Sequence, residues 1–405
     1  MTDLKGHLFV ENALIFDGYN EQLTEGSILI QDGFISEVGK IAKPGYLEAA
    51  QCLDVKGKVV TPGFIDNHFH AYGIDLNMMT MEGRPKSFVA LKGRFRLEEA
   101  LKRGFTTVRD VAGGDIGLAM AIKQGLVKSP NYYYTGPALS QTGGHGDPRD
   151  ATLDLCCADN HGVEVVDGVD NLIQATRERL RKGAHAIKIM ASGGVVSLTD
   201  PIAIPQYSAE EVRAVTSEAN RRGSYVCAHA YSPEAIIHSV RNGVRSIEHA
   251  NLLDEASADE MVKFNAVMVP TLVTYKAMAK FGRDLGMSDI ALGKNAQVLD
   301  SGLKAIELAM SKGISVGFGS DLMGDLEYMQ LDGLEVQHEA QGTLELLRSI
   351  TSRNAEILST DKHGWIKPNM TGDLVVLAEN PFKNASALWT ENDDRLVVKS
   401  GSLAG

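Results

Sequence analysis

Eight short apolar runs alternate with segments of helical pattern through the middle of this 405-residue chain. They lie near residues 60–68, 105–110, 131–135, 185–190, 224–229, 244–249, 266–271 and 314–319. Nearly continuous apolar runs are typical of parallel strands, because helices cover both faces of such a sheet. Eight strand–helix units predict an α/β fold, a TIM-like (β/α)8 barrel over residues 61–359. A chain of this length can hold such a barrel and a smaller lobe.

Helix signals occur between the runs. Ser208 and Glu211 have the spacing of a capping box, which predicts a helix over 209–222. Ser232-Pro233 places proline in the first turn of the next helix. These signals support the alternation of strands and helices.

Both ends of the chain carry short strand patterns instead. At the N-terminal end Asp32-Gly33 is typical of a tight hairpin turn. Similar strand patterns return at 372–377 and 395–401. We therefore expect residues 1–60 and 360–405 to pair into one small β-sandwich lobe, with the barrel inserted between them.

Composition and charge favour an enzyme over a nucleic-acid binder. Lys and Arg total 40 against 52 Asp and Glu, a net charge of −12, which argues against a surface that binds nucleic acid. The chain has four cysteines, Cys52, Cys156, Cys157 and Cys227, and none of them form a C-x-x-C motif. The adjacent pair Cys156-Cys157 cannot easily form a disulfide, so a disulfide framework is not indicated. With no apolar leader and no window of about 20 apolar residues, we expect a cytoplasmic protein without membrane contact.

Side chains that can bind metals end several of the apolar runs. His68 and His70 flank Phe69, and the period of two along a strand points both imidazoles the same way. Four other runs end on Lys188, His229, His249 and Asp321. Active sites of such barrels lie at the carboxyl ends of the strands, and imidazole and carboxylate suit zinc-like ions.

Each of these residues also has a structural interpretation. A single H-x-H pair is common, and His229 or His249 could be a hydrogen-bonded core histidine. Lys188 could form an ion pair or extend its amine to solvent. Asp321 follows Ser320 and could cap a helix. It is the number of such residues at strand ends that favours a metal site.

The ordered set of motifs resembles the amidohydrolase superfamily over essentially the whole chain. The resemblance rests on Pro62-Gly63-Phe64-Ile65-Asp66-Asn67-His68-Phe69-His70, Lys188, His229, His249 and Gly319-Ser320-Asp321. Three loop motifs are similar to the prolidase-like branch, the Xaa-Pro and Xaa-Arg dipeptidases related to imidazolonepropionase. These are Ser140-Gln141-Thr142-Gly143-Gly144-His145-Gly146-Asp147, Ile189-Met190-Ala191-Ser192-Gly193-Gly194 and Ala228-His229-Ala230-Tyr231.

The resemblance implies a site with two divalent metal ions, with zinc as the expected metal. His68 and His70 would hold one ion, and His229 and His249 the other. Lys188 would be N-carboxylated by CO2 and bridge them. Asp321 would bind the first ion, and it would take a proton from the metal-bridging hydroxide and pass it to the leaving nitrogen.

The resemblance also implies an amide or peptide substrate, cleaved before a C-terminal residue, as in Xaa-Pro dipeptides and N-acyl amino acids. His145 and Tyr231 are candidates for polarising the scissile carbonyl or binding the substrate carboxylate, and Arg149 is a further cation candidate. A surface charge is the alternative for Arg149, and packing at the barrel rim is the alternative for Tyr231. The family resemblance suggests a homo-oligomer.

Two other functions stay open at this point. A cyclic-amide hydrolase or deaminase of the same superfamily is one, although Lys188 argues against the mononuclear deaminase pattern. A barrel that has lost catalysis and serves in binding or assembly is the other. The presence of all six ligand positions argues against the second.

Overall fold

The computed structural model describes residues 6–48, 51–149, 162–197 and 200–404. The strands are β1 Leu8–Ile15, β2 Thr24–Gln31, β3 Phe34–Gly39, β4 Cys52–Asp54, β5 Val59–Pro62, β6 Phe64–Phe69, β7 Phe105–Asp110, β8 Asn131–Tyr134, β9 Ala138–Ser140, β10 Val163–Val165, β11 Ile187–Met190, β12 Val226–Ala230, β13 Ser246–His249, β14 Val267–Val269, β15 Leu374–Val376, β16 Leu396–Lys399 and β17 Ser402–Leu403.

Helices follow most of the central strands. They are α1 Met78–Glu82, α2 Lys86–Lys102, α3 Ile116–Lys123, α4 Val169–Arg181, α5 Ala209–Arg221, α6 Pro233–Arg241, α7 Glu255–Lys263, α8 Leu272–Phe281, α9 Asp289–Ser311, α10 Asp332–Ser349 and α11 Ser352–Ile357. The predicted capping box of Ser208 and Glu211 opens α5, and Pro233 lies in the first turn of α6.

The central strands form two parallel sheets, as the apolar runs predict. One has the order β6-β7-β8 and the other β10-β9-β11-β12-β13-β14. Every residue of β6, β7, β11, β12 and β13 is buried. Burial on both faces explains why these sequences show no apolar–polar alternation.

Backbone hydrogen bonds connect the two sheets. The amide of His185, just before β11, donates to the carbonyl of Tyr134 in β8 over 2.8 Å. On the other side, the amide of Met268 in β14 donates to Ser315 over 2.9 Å, and the amide of Asn67 in β6 donates to Phe318 over 2.9 Å. The segment 314–319 therefore lies between β14 and β6.

Two of the eight predicted strands need correction. The run 60–68 is two strands, β5 and β6, separated at Gly63, where any side chain would collide with Thr106. The run 314–319 forms only one isolated bridge, between Val316 and Met268. There the Phe318 amide donates to the Asn354 side chain and not to a neighbouring strand, so this amide is lost to a sheet ladder. Strands β9 and β10 were not predicted.

Strands from both ends of the chain form one sheet with the order β17-β16-β15-β5-β1-β2-β3, and β4 pairs with β1. The link between the two ends is the antiparallel pairing of β5 with β15. Between β2 and β3, Asp32 and Gly33 have φ of 51° and 81°, the positive values that a tight hairpin needs. The predicted pairing of the two ends and the predicted hairpin are confirmed.

The cysteines within the described ranges are free thiols, Cys52 and Cys227. The prediction about adjacent Cys156 and Cys157 lies outside the described residues. Among the helices described, none is both long enough and apolar enough to cross a bilayer.

Candidate active site

One cavity of about 100 Å³ collects every metal ligand predicted from the sequence. The cavity lies at the carboxyl ends of the parallel strands β6, β11, β12 and β13. Its polar lining consists of His68, His70, His145, Lys188, His229, Tyr231, His249, Thr274, Tyr275 and Asp321. Residues separated by up to 253 positions in sequence thus share one wall because parallel strands end at one edge.

Asp321 lies at the centre of the histidines. Its Oδ1 is 2.8 Å from Nε2 of His70 and 3.4 Å from Nε2 of His68. Its Oδ2 is 3.9 Å from Nδ1 of His249. Burial alone would raise the pKa of Asp321, but the interactions of its carboxylate with His68 and His70 outweigh burial and hold this pKa well below its usual range. The carboxylate is therefore ionised at neutral pH.

The donor atoms converge closely enough to bind a cation. One ligand atom each from His68, His249 and Asp321 lies within 4.8 Å of the others. Nδ1 of His229 is 2.8 Å from Nε2 of His249. Burial lowers the pKa of His70, His229 and His249, so these rings are neutral at pH 7 and keep nitrogen lone pairs for a ligand. This donor set fits a divalent ion such as zinc.

Lys188 is 2 % exposed and lies on β11 between apolar neighbours. Its amine has no hydrogen bond or ion pair with any residue in the described part of the chain, which is unusual for a buried lysine. Burial lowers its pKa, so the uncharged amine is more accessible than in an exposed lysine. An uncharged amine is the form that can react with CO2.

Two of the candidate ligands have strained backbones. His249 has φ of 75° and Asp321 has φ of 53°, in the left-handed region that residues with a side chain rarely adopt. The amide of Asp321 donates to the carbonyl of His68 over 2.8 Å, which holds the strained turn in place. Such strain is found most often at functional sites.

Sequence reasoning missed a buried ion pair behind His68. Oε2 of Glu248 is 2.8 Å from Nδ1 of His68, and Arg109 donates to both oxygens of Glu248 over 2.7 and 2.9 Å. Burial would raise the pKa of Glu248, but Arg109 and His68 lower it further than burial raises it. The carboxylate thus keeps a proton on Nδ1 and leaves Nε2 as the ligand atom. The sequence signal for this pair was the presence of a charged residue, Arg109 or Glu248, inside each of two apolar runs.

His145 and Tyr231 lie in the same cavity as the metal ligands. Nδ1 of His145 is 2.9 Å from the hydroxyl of Ser197, and the ring stacks on His229 with 4.2 Å between centroids. The hydroxyl of Tyr231 is 2.8 Å from that of Tyr275, another residue that sequence reasoning missed.

Arg149 lies elsewhere. Its guanidinium donates to the Asp147 carboxylate over 2.8 and 2.7 Å. It lines a neighbouring cavity of about 370 Å³, which shares Leu76, Met78 and Val196 with the wall of the first. Arg149 is therefore next to the metal ligands but not among them.

The rest of the cavity wall is mostly apolar. It consists of Leu76, Met78, Met81, Ala112, Val163, Met190, Val195, Val196, Met278 and Met323, together with Tyr72, Gly73 and Gly162. An apolar wall around a few polar groups excludes water and strengthens electrostatic interactions inside the cavity.

The Amidohydrolase family model matches residues 59–405. This chain belongs to the amidohydrolase family. Among curated relatives, ochratoxinase of Aspergillus niger is 30% identical over 429 residues, covering 99% of this chain and 87% of the relative. The match spans the strands, the loops and Asp321.

Solved structures are similar throughout. A prolidase complexed with N-methylphosphonate-L-proline is 41% identical, with a TM-score of 0.93 and coverage of 98% of this chain and 99% of the other. A Xaa-Pro dipeptidase with bound methionine in its active site is 28% identical, with a TM-score of 0.87 and coverage of 98% and 99%. The amidohydrolase is thus a hydrolase of amide bonds in the prolidase-like branch, with a TIM-barrel-like α/β fold.

Proposed function

We propose that this amidohydrolase hydrolyses the amide or peptide bond before a C-terminal residue, with Xaa-Pro and similar dipeptides and N-acyl amino acids as substrates. One observation carries the proposal. The six predicted ligands share a cavity with His145 and Tyr231. The prolidase and dipeptidase relatives support this substrate class.

The donor set would hold two divalent ions, with zinc as the expected metal. His68, His70 and Asp321 would hold one ion, His229 and His249 the other, and N-carboxylated Lys188 would bridge them. Converting the lysine into an anion would offset the repulsion between two cations. When bound, the ions supply Lewis-acid polarisation of the scissile carbonyl and lower the pKa of a nucleophilic water.

Asp321 would move the proton. Its low pKa keeps the carboxylate ionised, so it can accept a proton from the attacking water. It would then give that proton to the amide nitrogen as the C–N bond breaks. Oδ1 and Oδ2 of Asp321 both lie within 4.0 Å of candidate ligand histidines, which keeps the carboxylate beside the reacting atoms.

Tyr231 and His145 would bind the substrate. The Tyr231 hydroxyl would donate to the carbonyl oxygen as negative charge develops there, while His145 would bind the same oxygen or the terminal carboxylate. Arg149, in the neighbouring cavity, would contact the more distant part of the substrate. In this arrangement the residues that stabilise the developing negative charge lie next to the metal ligands, and the residue that recognises the rest of the substrate lies further away.

The proposal extends to the architecture. The two parallel sheets and the segment 314–319 would close into a (β/α)8 barrel over 61–359, because backbone hydrogen bonds link β8 to the start of β11 and link the segment to β14 and β6. Residues 1–60 and 360–405 would form a separate β-sandwich lobe. We further propose that the enzyme is a cytoplasmic homo-oligomer.

The test is product analysis. Zinc-reconstituted protein is incubated with pooled Xaa-Pro, Xaa-Arg and other dipeptides, N-acyl amino acids and cyclic amides, and the products are identified by mass spectrometry. We expect release of free C-terminal amino acids, with Asp321→Asn as the inactive control. Ring opening, or ammonia without a free amino acid, would instead assign the enzyme to cyclic-amide hydrolysis or deamination.

A further inference from the structure

Tyr275 lies beside Tyr231 in the wall of the cavity. It is on α8, is 1 % exposed, and its hydroxyl has three possible partners. These are the Tyr231 hydroxyl at 2.8 Å, Nδ1 of His249 at 2.9 Å and the Thr271 hydroxyl at 3.1 Å. A phenol has only one proton, so it can donate to only one of them.

The proton on His249 decides which partner that is. Nε2 of His249 faces His229, the other ligand proposed for the same ion, so the ring proton lies on Nδ1 when Nε2 binds metal. Nδ1–H then donates to the Thr271 hydroxyl, its nearest oxygen at 2.7 Å. The Thr271 hydroxyl in turn donates to Tyr275. Tyr275 is thus an acceptor on that side.

The remaining proton of Tyr275 goes to Tyr231. Among the described residues, the Tyr231 hydroxyl has no other hydrogen-bond partner. Since Tyr231 accepts from Tyr275, its own proton is left for a ligand in the cavity. Successive donors polarise one another, so each bond strengthens the next.

We propose that Tyr275 is a positioning residue. With Thr271, it forms a chain of hydrogen bonds from Nδ1 of His249 to Tyr231, in which each group donates to the next. This direction makes Tyr231 a hydrogen-bond donor to the substrate. This inference rests on the proposed function. The new element is that the candidate metal ligand His249 and the candidate oxyanion donor Tyr231 are connected by hydrogen bonds through the hydroxyls of Thr271 and Tyr275. Metal binding at His249 would then leave the Tyr231 hydroxyl as a donor to the substrate.

The kinetic test is a double-mutant cycle of Tyr231→Phe and Tyr275→Phe in the zinc-loaded enzyme. Loss of one oxyanion donor lowers kcat by about 100-fold, and we expect this for Tyr231→Phe. Tyr275→Phe should lower kcat by roughly tenfold, with KM within about twofold and zinc content unchanged. In the double variant, Tyr275→Phe should add almost nothing. Independent, multiplicative losses would overturn the proposal.

Tyr134→Phe is the matched control. Tyr134 is another buried tyrosine, whose hydroxyl donates to the carbonyl of Lys182 over 2.6 Å outside the catalytic cavity. Its loss should leave kcat and KM unchanged. Thr271→Val removes the hydroxyl between His249 and Tyr275 and keeps Tyr275. Like Tyr275→Phe, it should lower kcat. An unchanged kcat in Thr271→Val would contradict the proposed order.

A second measurement does not depend on turnover. Tyrosine labelled with 13C at Cζ reports hydrogen bonding of the phenol, and the Tyr231 signal is assigned by its loss in Tyr231→Phe. We expect the signal to shift in Tyr275→Phe and on adding zinc alone to the metal-free enzyme. An unmoved Tyr231 signal in Tyr275→Phe would overturn the proposal. A shifted signal without hydrolysis of any pooled substrate would retain the hydrogen-bond order and reject the proposed function.

Discussion

Two polar clusters of this amidohydrolase each contain a lysine, fully buried in one and partly buried in the other, and the lysine has different partners in each. In the junction cluster, where β8 meets the terminal sheet, Lys399 donates to Asn131 over 2.8 Å and to Asp373 over 3.1 Å. In the cavity cluster, Lys188 has no such partner among the described residues. The junction cluster pairs its donors and acceptors internally, whereas the cavity cluster leaves nitrogens available for a ligand.

The histidines differ in the same way. His363 of the junction cluster bonds to Thr371 over 2.8 Å and to Tyr133 over 2.9 Å, so both ring nitrogens are occupied. In the cavity, Nδ1 of His229 meets Nε2 of His249, one imidazole nitrogen against another. A cluster that serves stability is complete without a ligand, and one that serves chemistry is not. The following predictions test that difference.

Asp321→Asn should have the largest effect. The amide cannot accept the proton, so we expect turnover to fall by about 10³- to 10⁴-fold, while most of the metal is retained. Turnover and metal content are measured on the same sample. Asp373→Asn, in the junction cluster, should leave turnover intact and lower the denaturant midpoint; near-normal activity of Asp321→Asn would exclude its proton role.

Lys188→Met and Lys399→Met form a matched pair. Lys188→Met should reduce metal content and lower turnover by at least roughly 100-fold, without loss of stability, because it removes a buried amine that has no partner among the described residues. Lys399→Met leaves the Asp373 carboxylate without its cation and should cost about 1–3 kcal/mol of unfolding free energy, with turnover unchanged. Metal analysis and urea unfolding distinguish the two outcomes. Equal destabilisation by both substitutions would remove the contrast between the clusters.

His363 should make stability depend on pH. Burial lowers its pKa from 6.5 to about 4. Because the unfolded chain binds the proton more readily, the stabilising contribution is complete above pH 6.5 and declines as pH falls towards 4. The loss is at most about 3 kcal/mol. Urea midpoints at pH 7 and 5 should therefore differ less in His363→Gln than in the parent, and identical differences would contradict this account.

Arg149→Gln should have the smallest effect. Its guanidinium is paired with Asp147 and lies in the neighbouring cavity, so we expect KM to rise by roughly threefold with kcat unchanged. Steady-state kinetics on the preferred substrate measure both. A large fall in kcat would bring Arg149 into the reaction itself.

Much of the fold was predictable because it follows local rules. Buried parallel strands need continuous apolar runs, and the helix starting at Ala209 needs a cap such as Ser208. The segment 314–319 was mispredicted because a distant side chain, Asn354, accepts the hydrogen bond of the Phe318 amide. The candidate ligands were recognisable because histidine, lysine and aspartate at strand ends form a pattern, although their roles stay proposals.

The roles of Glu248, Arg109 and Tyr275 could not be read from the sequence. Each looks like an ordinary charged or aromatic residue until its partners are known. Glu248 and Arg109 are 139 positions apart, and Tyr275 is 44 positions from Tyr231. Hydrogen-bond partners at such separations depend on how strands and helices pack, which no local pattern records.

The sequence by itself determined the alternation of strands and helices, the pairing of the two chain ends and the set of side chains able to hold a metal, because these depend on local polarity, turn chemistry and order along the chain. Only the tertiary structure decided which atoms of those side chains face each other, which charges are compensated and which hydroxyl can still donate. Those properties depend on distances of about 3 Å between residues far apart in sequence, and such distances exist only once the chain is folded.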